Sequence, residues 1–284
     1  MFVLLLGLII LCILFAILYR VQNPPRTINV FEQKVQDLDE GWKQDSICFY
    51  ITLDEKSERA QKSVNSINKM GLQPSAFMGT VGKKLSKDGL INNNIIEPDC
   101  QLGMGEIGCF LSHIRLWRHC KLKYPKHKYY IIFEDDAICD TKYCSKILNL
   151  AMNKIQDTEI DVLYLGHCFP RTVPMKSSVT KLLNKFRIER KSSLCTHAMV
   201  ITEKGLDKLI KYIADKPNPI GKKPIDIVIQ NLALEKKLNT YNIEPQICKQ
   251  DQWQTGDITF AEYKKGRRQT MTKRFPKLMN LLSK

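Results

Sequence analysis

The sequence predicts an α/β protein with a mainly parallel central sheet covered on both faces, preceded by one N-terminal transmembrane helix. Three observations predict it. Short β-rich runs alternate with helical periodicities from residue 47 onward. The run Tyr129 to Phe133 is apolar at every position, as a strand buried on both faces requires. Residues Phe2 to Tyr19 form an unbroken apolar stretch ending at Arg20. The 284 residues suit one substantial domain with accessory segments, at ~100–200 residues per domain.

A helix rising ~1.5 Å per residue needs roughly 17–25 apolar residues to cross a bilayer, so residues 1–22 are expected to be a signal-anchor. A cleaved signal peptide would show a basic leader, a shorter apolar core and a small-residue cleavage site, and these are absent. Arg20 and Arg26 follow the stretch and no basic residue precedes it, which by the positive-inside rule favours a cytoplasmic domain. The absence of any Asn-x-Ser/Thr site removes one luminal signature. A single-pass membrane location is expected, with ER/Golgi-type luminal and cytoplasmic-facing orientations both open.

Asn23-Pro24-Pro25 breaks the helix, and residues 23–45 read as a stem. The folded domain is expected over 46–258. Ile47 to Leu53 is a strand, Glu55 to Met70 a helix ending before Gly71, and Ser75 to Val81 a second strand. From Gly105 to Cys120, Ile107, Leu111 and Ile114 mark a helical stripe, with Glu106 and His113 on its flank. Lys128 to Phe133 is a strand that stops at three carboxylates, and a helix follows over Tyr143 to Ile155. Further strands are expected at Ile160 to Leu165, Leu194 to Ile201 and Tyr241 to Cys248, and helices at Glu203 to Ile213 and Asp226 to Lys237. The basic segment from Arg171 to Lys191 reads as an excursion.

The net charge of +15 is concentrated at the end, where Lys264, Lys265, Arg267, Arg268, Lys273, Arg274, Lys277 and Lys284 face only Glu262. Residues 259–284 thus form a basic tail, suited to anionic lipid or simply solvated. No nucleic-acid module accompanies the charge, and no nucleic-acid partner is expected. Among the ten cysteines there is no Cys-x-x-Cys pair or Cys/His quartet, so a structural zinc site is not expected, and most thiols read as small buried hydrophobes. Their spacing does not fix a compartment.

Glu134, Asp135 and Asp136 follow the apolar run Tyr129 to Phe133. Adjacent carboxylates repel one another and need water, hydrogen bonds or a cation. Their hard oxygens suit Mg²⁺ or Mn²⁺, with substrate phosphates completing the coordination shell. Acidic turns are also common on surfaces, so the triplet alone decides little. Carboxylates at a strand end are, however, where open α/β sheets place ligands.

Gly105-Glu106-Ile107-Gly108-Cys109-Phe110-Leu111-Ser112-His113, followed by Ile132-Phe133-Glu134-Asp135-Asp136-Ala137, resembles glycosyltransferase family 25, which includes lipooligosaccharide and procollagen galactosyltransferases. Tyr50-Ile51-Thr52-Leu53-Asp54 with Arg59, Gly82-Lys83-Lys84-Leu85, Leu163-Tyr164-Leu165-Gly166 and Pro224-Ile225-Asp226 resemble further segments of it, together spanning roughly residues 47–258. Thr52 stands where the family usually has Asn, and Glu55 where it has Arg.

The resemblance implies a GT-A-like nucleotide-sugar-binding fold, a UDP-sugar donor, a divalent metal (Mn²⁺ or Mg²⁺) at Glu134, Asp135 and Asp136, and inversion at the anomeric carbon. Asp136 is the leading direct ligand, and Asp135 either joins it or orients the ribose or sugar. Leu53, Asp54 and Arg59 fall at the nucleotide pocket, with an Asp54–Arg59 helix-start pair as the structural alternative. Ser112 and His113 either line the cleft or serve the scaffold, and the scaffold role is favoured. An inverting transfer needs a base for the acceptor hydroxyl. Asp226 is the candidate, against a helix-start role. His197, Asp251 and Asp257 are candidates for a third metal ligand.

The expected function is transfer of a hexose, galactose or glucose, to a hydroxyl of a glycan, glycolipid or hydroxylysine, as in lipopolysaccharide biosynthesis or collagen glycosylation. The alternative is a catalytically inactive, membrane-tethered module that binds saccharide or anionic lipid.

Overall fold

Tyr129–Glu134 is apolar on both faces because both are covered. Tyr130 and Ile132 enter one core with Phe49, Ile51, Phe110 and Trp117. Ile131 and Phe133 enter another with Cys48, Tyr50, Ile147 and Leu150. In a computed structural model of the chain, residues 27–29, 40–139, 143–156, 158–168, 186–217 and 219–251 are described. The expected anchor at 1–22, much of the excursion after Arg171 and the tail at 259–284 lie outside them. Among the described residues, no helix is long and apolar enough to cross a membrane.

The strands are β1 (Thr27–Asn29), β2 (Ser46–Thr52), β3 (Ser75–Met78), β4 (Tyr129–Glu134), β5 (Ala137–Ile138), β6 (Val162–Cys168), β7 (Arg187–Arg190), β8 (Leu194–Thr202), β9 (Thr240–Glu244) and β10 (Lys249–Gln250). The helices are α1 (Glu58–Asn68), α2 (Lys87–Asn92), α3 (Met104–Lys123), α4 (Cys144–Ile155), α5 (Glu203–Leu209, continued by a π turn over Ile210–Ala214) and α6 (Ile225–Leu234). Eight strands form one sheet in the order β1-β7-β9-β6-β8-β4-β2-β3, and β5 pairs with β10 in a small ribbon.

The expected parallel sheet is realised as a mixed one. β2 runs parallel to β3 and β4, and β6 runs parallel to β9. β8 lies antiparallel between β4 and β6. The ends of β2, β4 and β6 and the start of β8 therefore meet at one edge of the sheet.

Two parts of the expected stem at 23–45 belong to the fold. β1 pairs antiparallel with β7, and Trp42, in the short turn Gly41–Lys43, is 2% exposed. The sequence masks this because a three-residue strand and a lone tryptophan carry no periodicity. The basic excursion likewise contains β7, which pairs with β9. On α3 the buried stripe is Ile107, Phe110, Ile114 and Trp117, with Leu111 only partly buried against it.

Gly108 lets α3 meet the turn after β3. A Cβ there would lie 2.7 Å from the Thr80 carbonyl oxygen and 2.9 Å from the Gly82 nitrogen. Gly82 is tighter still, at 1.8 Å from the Met104 carbonyl oxygen. Ser112 completes this junction, its hydroxyl donating to the Gly108 carbonyl at 2.7 Å and accepting from the Thr80 N–H at 2.8 Å.

The cysteines form two disulfides, Cys139–Cys248 and Cys168–Cys195. Among the described residues Cys48, Cys100, Cys109 and Cys120 are free, and the Cys144 thiol donates to the Ile247 carbonyl at 3.0 Å. Burial pushes the thiols of Cys109 and Cys120 upward, in keeping with the expected hydrophobic role.

Candidate active site

The acidic triplet starts where β4 ends. Ile51 of β2 is opposite Glu134, and the Asp135 N–H donates to the Ile51 carbonyl at 3.0 Å. Strand pairing therefore runs into the motif, and each carboxylate takes a separate set of partners.

Glu134 faces α3. Its Oε1 lies 3.0 Å from His113 Nε2 and accepts from the Thr196 hydroxyl at 2.6 Å. Burial raises its pKa, but the His113 and Thr196 hydrogen bonds and nearby imidazole charge outweigh that and hold it well below the usual range. Asp135 accepts from the Thr52 hydroxyl at 2.8 Å and meets the Arg59 guanidinium at 2.8 Å. Burial raises its pKa against the pull of Arg59 and Thr52.

Asp136 is 6% exposed. One oxygen meets Arg59 at 3.1 Å and the Gln250 amide at 2.8 Å. The other, Oδ1, is buried without a hydrogen-bond partner. Burial and the Glu134 charge raise its pKa to about 7. Gln250 reaches it through the β5–β10 ribbon, where Gln250 is opposite Ala137 and the Asp251 N–H donates to the Asp136 carbonyl at 2.7 Å.

The expected residues fall into three groups. Glu134, Asp135, Asp136, Arg59 and His113 come together. Arg59 pairs with Asp135 and Asp136, and the Asp54–Arg59 helix-start pair is not formed. Asp54 is exposed and accepts from the Lys56 N–H at 2.9 Å, while Ser57 caps α1 by accepting from Ala60. Leu53 presents its backbone N–H to Asp135, and its side chain packs where a Cβ on Gly79 would lie 3.0 Å away. Ser112 has both hydroxyl roles filled within the scaffold.

Asp226 lies in the first turn of α6. Its carboxylate accepts from the Cys195 N–H at 3.2 Å and from the Ile227 N–H at 2.7 Å, so it serves the helix start and also faces β8. Its charge is felt at Cys109 and Tyr164, and Cys109 also feels Glu134 and Asp136. Asp226 and the acidic triplet thus flank one region.

Of the candidate third ligands, Asp251 meets Lys62 at 2.6 Å, and Asp257 lies outside the described residues. His197 is buried, beside the Cys248 backbone. Burial lowers its pKa to about 4, leaving a neutral imidazole at pH 7. It explains Gly166, whose added Cβ would come 2.3 Å from His197 Nε2. Thr196 and Gln250 are site neighbours that sequence reasoning missed, since only strand register brings them to the carboxylates.

A mixed α/β sheet with an acidic strand end fits the glycosyltransferase class. The family model described as glycosyltransferase family 25 (LPS biosynthesis protein) matches residues 46–229, and the chain belongs to that family. A "Glycosyltransferase 25 family member" of Drosophila pseudoobscura pseudoobscura is 32% identical over 42% of this chain and 20% of its own length. Procollagen galactosyltransferase 2 of Homo sapiens is 25% identical over 63% of this chain and 29% of its own. A putative glycosyltransferase of Haemophilus influenzae is 28% identical over 72% of this chain and 70% of its own. The chain spans about a fifth of the length of the first curated relatives it matches.

Proposed function

We propose that this chain transfers a hexose, galactose or glucose, from a UDP-sugar to a hydroxyl of a glycan, lipooligosaccharide or hydroxylysine, with a divalent metal and with inversion. The observation that carries the reading is Asp136. It is a buried carboxylate with one unpartnered oxygen, beside Asp135 and bridged to it by the Arg59 cation. A pair of hard oxygens already gathered around a cation fits Mn²⁺ or Mg²⁺.

Asp135 and Asp136 would hold the ion, and Glu134, engaged by His113 and Thr196, would buttress them. When bound, the metal would neutralise the departing diphosphate. Arg59, released from the carboxylates, would offer its guanidinium to the same phosphates. Asp226 would take the proton of the acceptor hydroxyl. The name of the procollagen galactosyltransferase relative and the LPS-biosynthesis description of the family support the acceptor classes. The two disulfides favour an oxidising compartment, and with it the luminal orientation of a membrane-anchored enzyme over the cytoplasmic one.

The test is a panel of UDP-sugars with Mn²⁺, reading UDP release and product anomeric configuration by NMR. Turnover of at least one donor, lost on chelation and in Asp136→Ala, is expected. Absence of donor binding and turnover across the panel rejects the reading.

A further inference from the structure

Cys195 has a φ of 69°, a left-handed conformation that L-residues rarely adopt, at the second residue of β8. Opposite it, the β6–β8 register shifts between Gly166 and Cys168. This takes the Cys195 N–H out of the ladder and aims it at Asp226 Oδ2, 3.2 Å away. The other Asp226 oxygen is held by its own helix at Ile227. One residue on, the Thr196 hydroxyl holds Glu134 at 2.6 Å. Two adjacent residues of β8 therefore grip the two sides of the site, and the disulfide to Cys168 fixes the kinked strand that carries them.

We infer that Cys195 and Thr196 are positioning residues which set the candidate base Asp226 against the acidic strand end, with the Cys168–Cys195 disulfide as their clamp. This rests on the function proposed above. Opening the clamp takes two electrons and two protons from a dithiol. The S–S bond breaks, Cys168 and Cys195 become thiols, and the reagent closes to its own disulfide. Cys195 is then free to return to extended backbone, and its N–H leaves Asp226.

The experiment compares wild type, Cys168→Ser/Cys195→Ser and Cys139→Ser/Cys248→Ser in the full chain, with kcat, KM for the UDP-sugar and thermal midpoint read on each. Breaking the Cys168–Cys195 pair is expected to lower kcat about tenfold or more, with KM for the donor changed less than about twofold. Dithiol should produce the same loss in wild type and oxidation should reverse it, whereas the Cys168→Ser/Cys195→Ser protein should not respond. If that double variant does not fold, the reversible dithiol effect on wild type, below its unfolding temperature, decides. Unchanged kcat, or kcat and KM moving together with the midpoint, overturns the inference.

Amide exchange at Cys195 keeps the two failures apart. Protection in oxidised wild type, lost about tenfold in Asp226→Ala and on reduction, is expected whether or not a donor is turned over. Equal exchange in all three rejects the link, whereas absence of turnover with the exchange pattern intact rejects only the function.

Discussion

At the scale of the residue, Arg59 is an internal counter-ion. It spans Asp135 and Asp136, with the three side chains between 9% and 23% exposed. Removing one partner of a buried ionic group costs roughly 3–5 kcal/mol, so Arg59→Met should destabilise the metal-free protein by about 3 kcal/mol in urea unfolding, and Mn²⁺ should restore part of it. The raised pKa of Asp136 has its own signature. Its carboxyl titrates at about 7 when folded against an ordinary value of 3.8, so the folded state binds the extra proton between these values. Stability of the metal-free protein should fall as pH rises from about 4 to about 7, and Asp136→Asn should flatten that slope. Glu134, Asp135, Asp136 and Arg59 were legible because they sit in contiguous motifs. Thr196 and Gln250 were not, since a threonine in a strand and a glutamine near a strand end acquire meaning only from what register sets beside them.

At the scale of the element, the Gly105 to His113 motif joins scaffold and site. Gly108 and Ser112 weld α3 to the turn after β3, and His113, one residue on, reaches Glu134. Gly108→Ala forces a methyl against the Thr80 carbonyl, and overpacking of this kind costs typically 1–3 kcal/mol. We expect a lower thermal midpoint and a weakened donor KM, read together. On the sheet's other half, Glu244 of β9 is bonded to His167 and Lys191. Burial raises its carboxyl, but these partners lower it to about 2, against an ordinary value of 4.5. Its contribution is complete above pH 4.5 and is lost as pH falls towards 2, so Glu244→Gln should flatten the acid limb of the stability profile. The order of strands and helices could be read from periodicity. The antiparallel insertion of β8 could not, because a strand apolar on both faces, such as Val200 and Ile201, carries no mark of its direction.

At the scale of the whole molecule, the disulfides close loops of 109 and 27 residues. On the chain-entropy account they restrict the unfolded state by about 5 and about 3.5 kcal/mol. Calorimetry of the two double-serine variants should therefore show the larger loss of midpoint without the Cys139–Cys248 bond. Nothing in the spacing of the cysteines announced either pair, because both bonds join elements that only the folded sheet brings together.

The bond between Asp136 and Gln250 spans 114 residues. During synthesis the acidic strand end emerges long before its partner, and the site stays open until β10 has left the ribosome and folded back on β5. A nascent chain stalled before Lys249 should thus contain β2, β3 and β4 and yet leave the Asp136 carboxylate without its Gln250 partner.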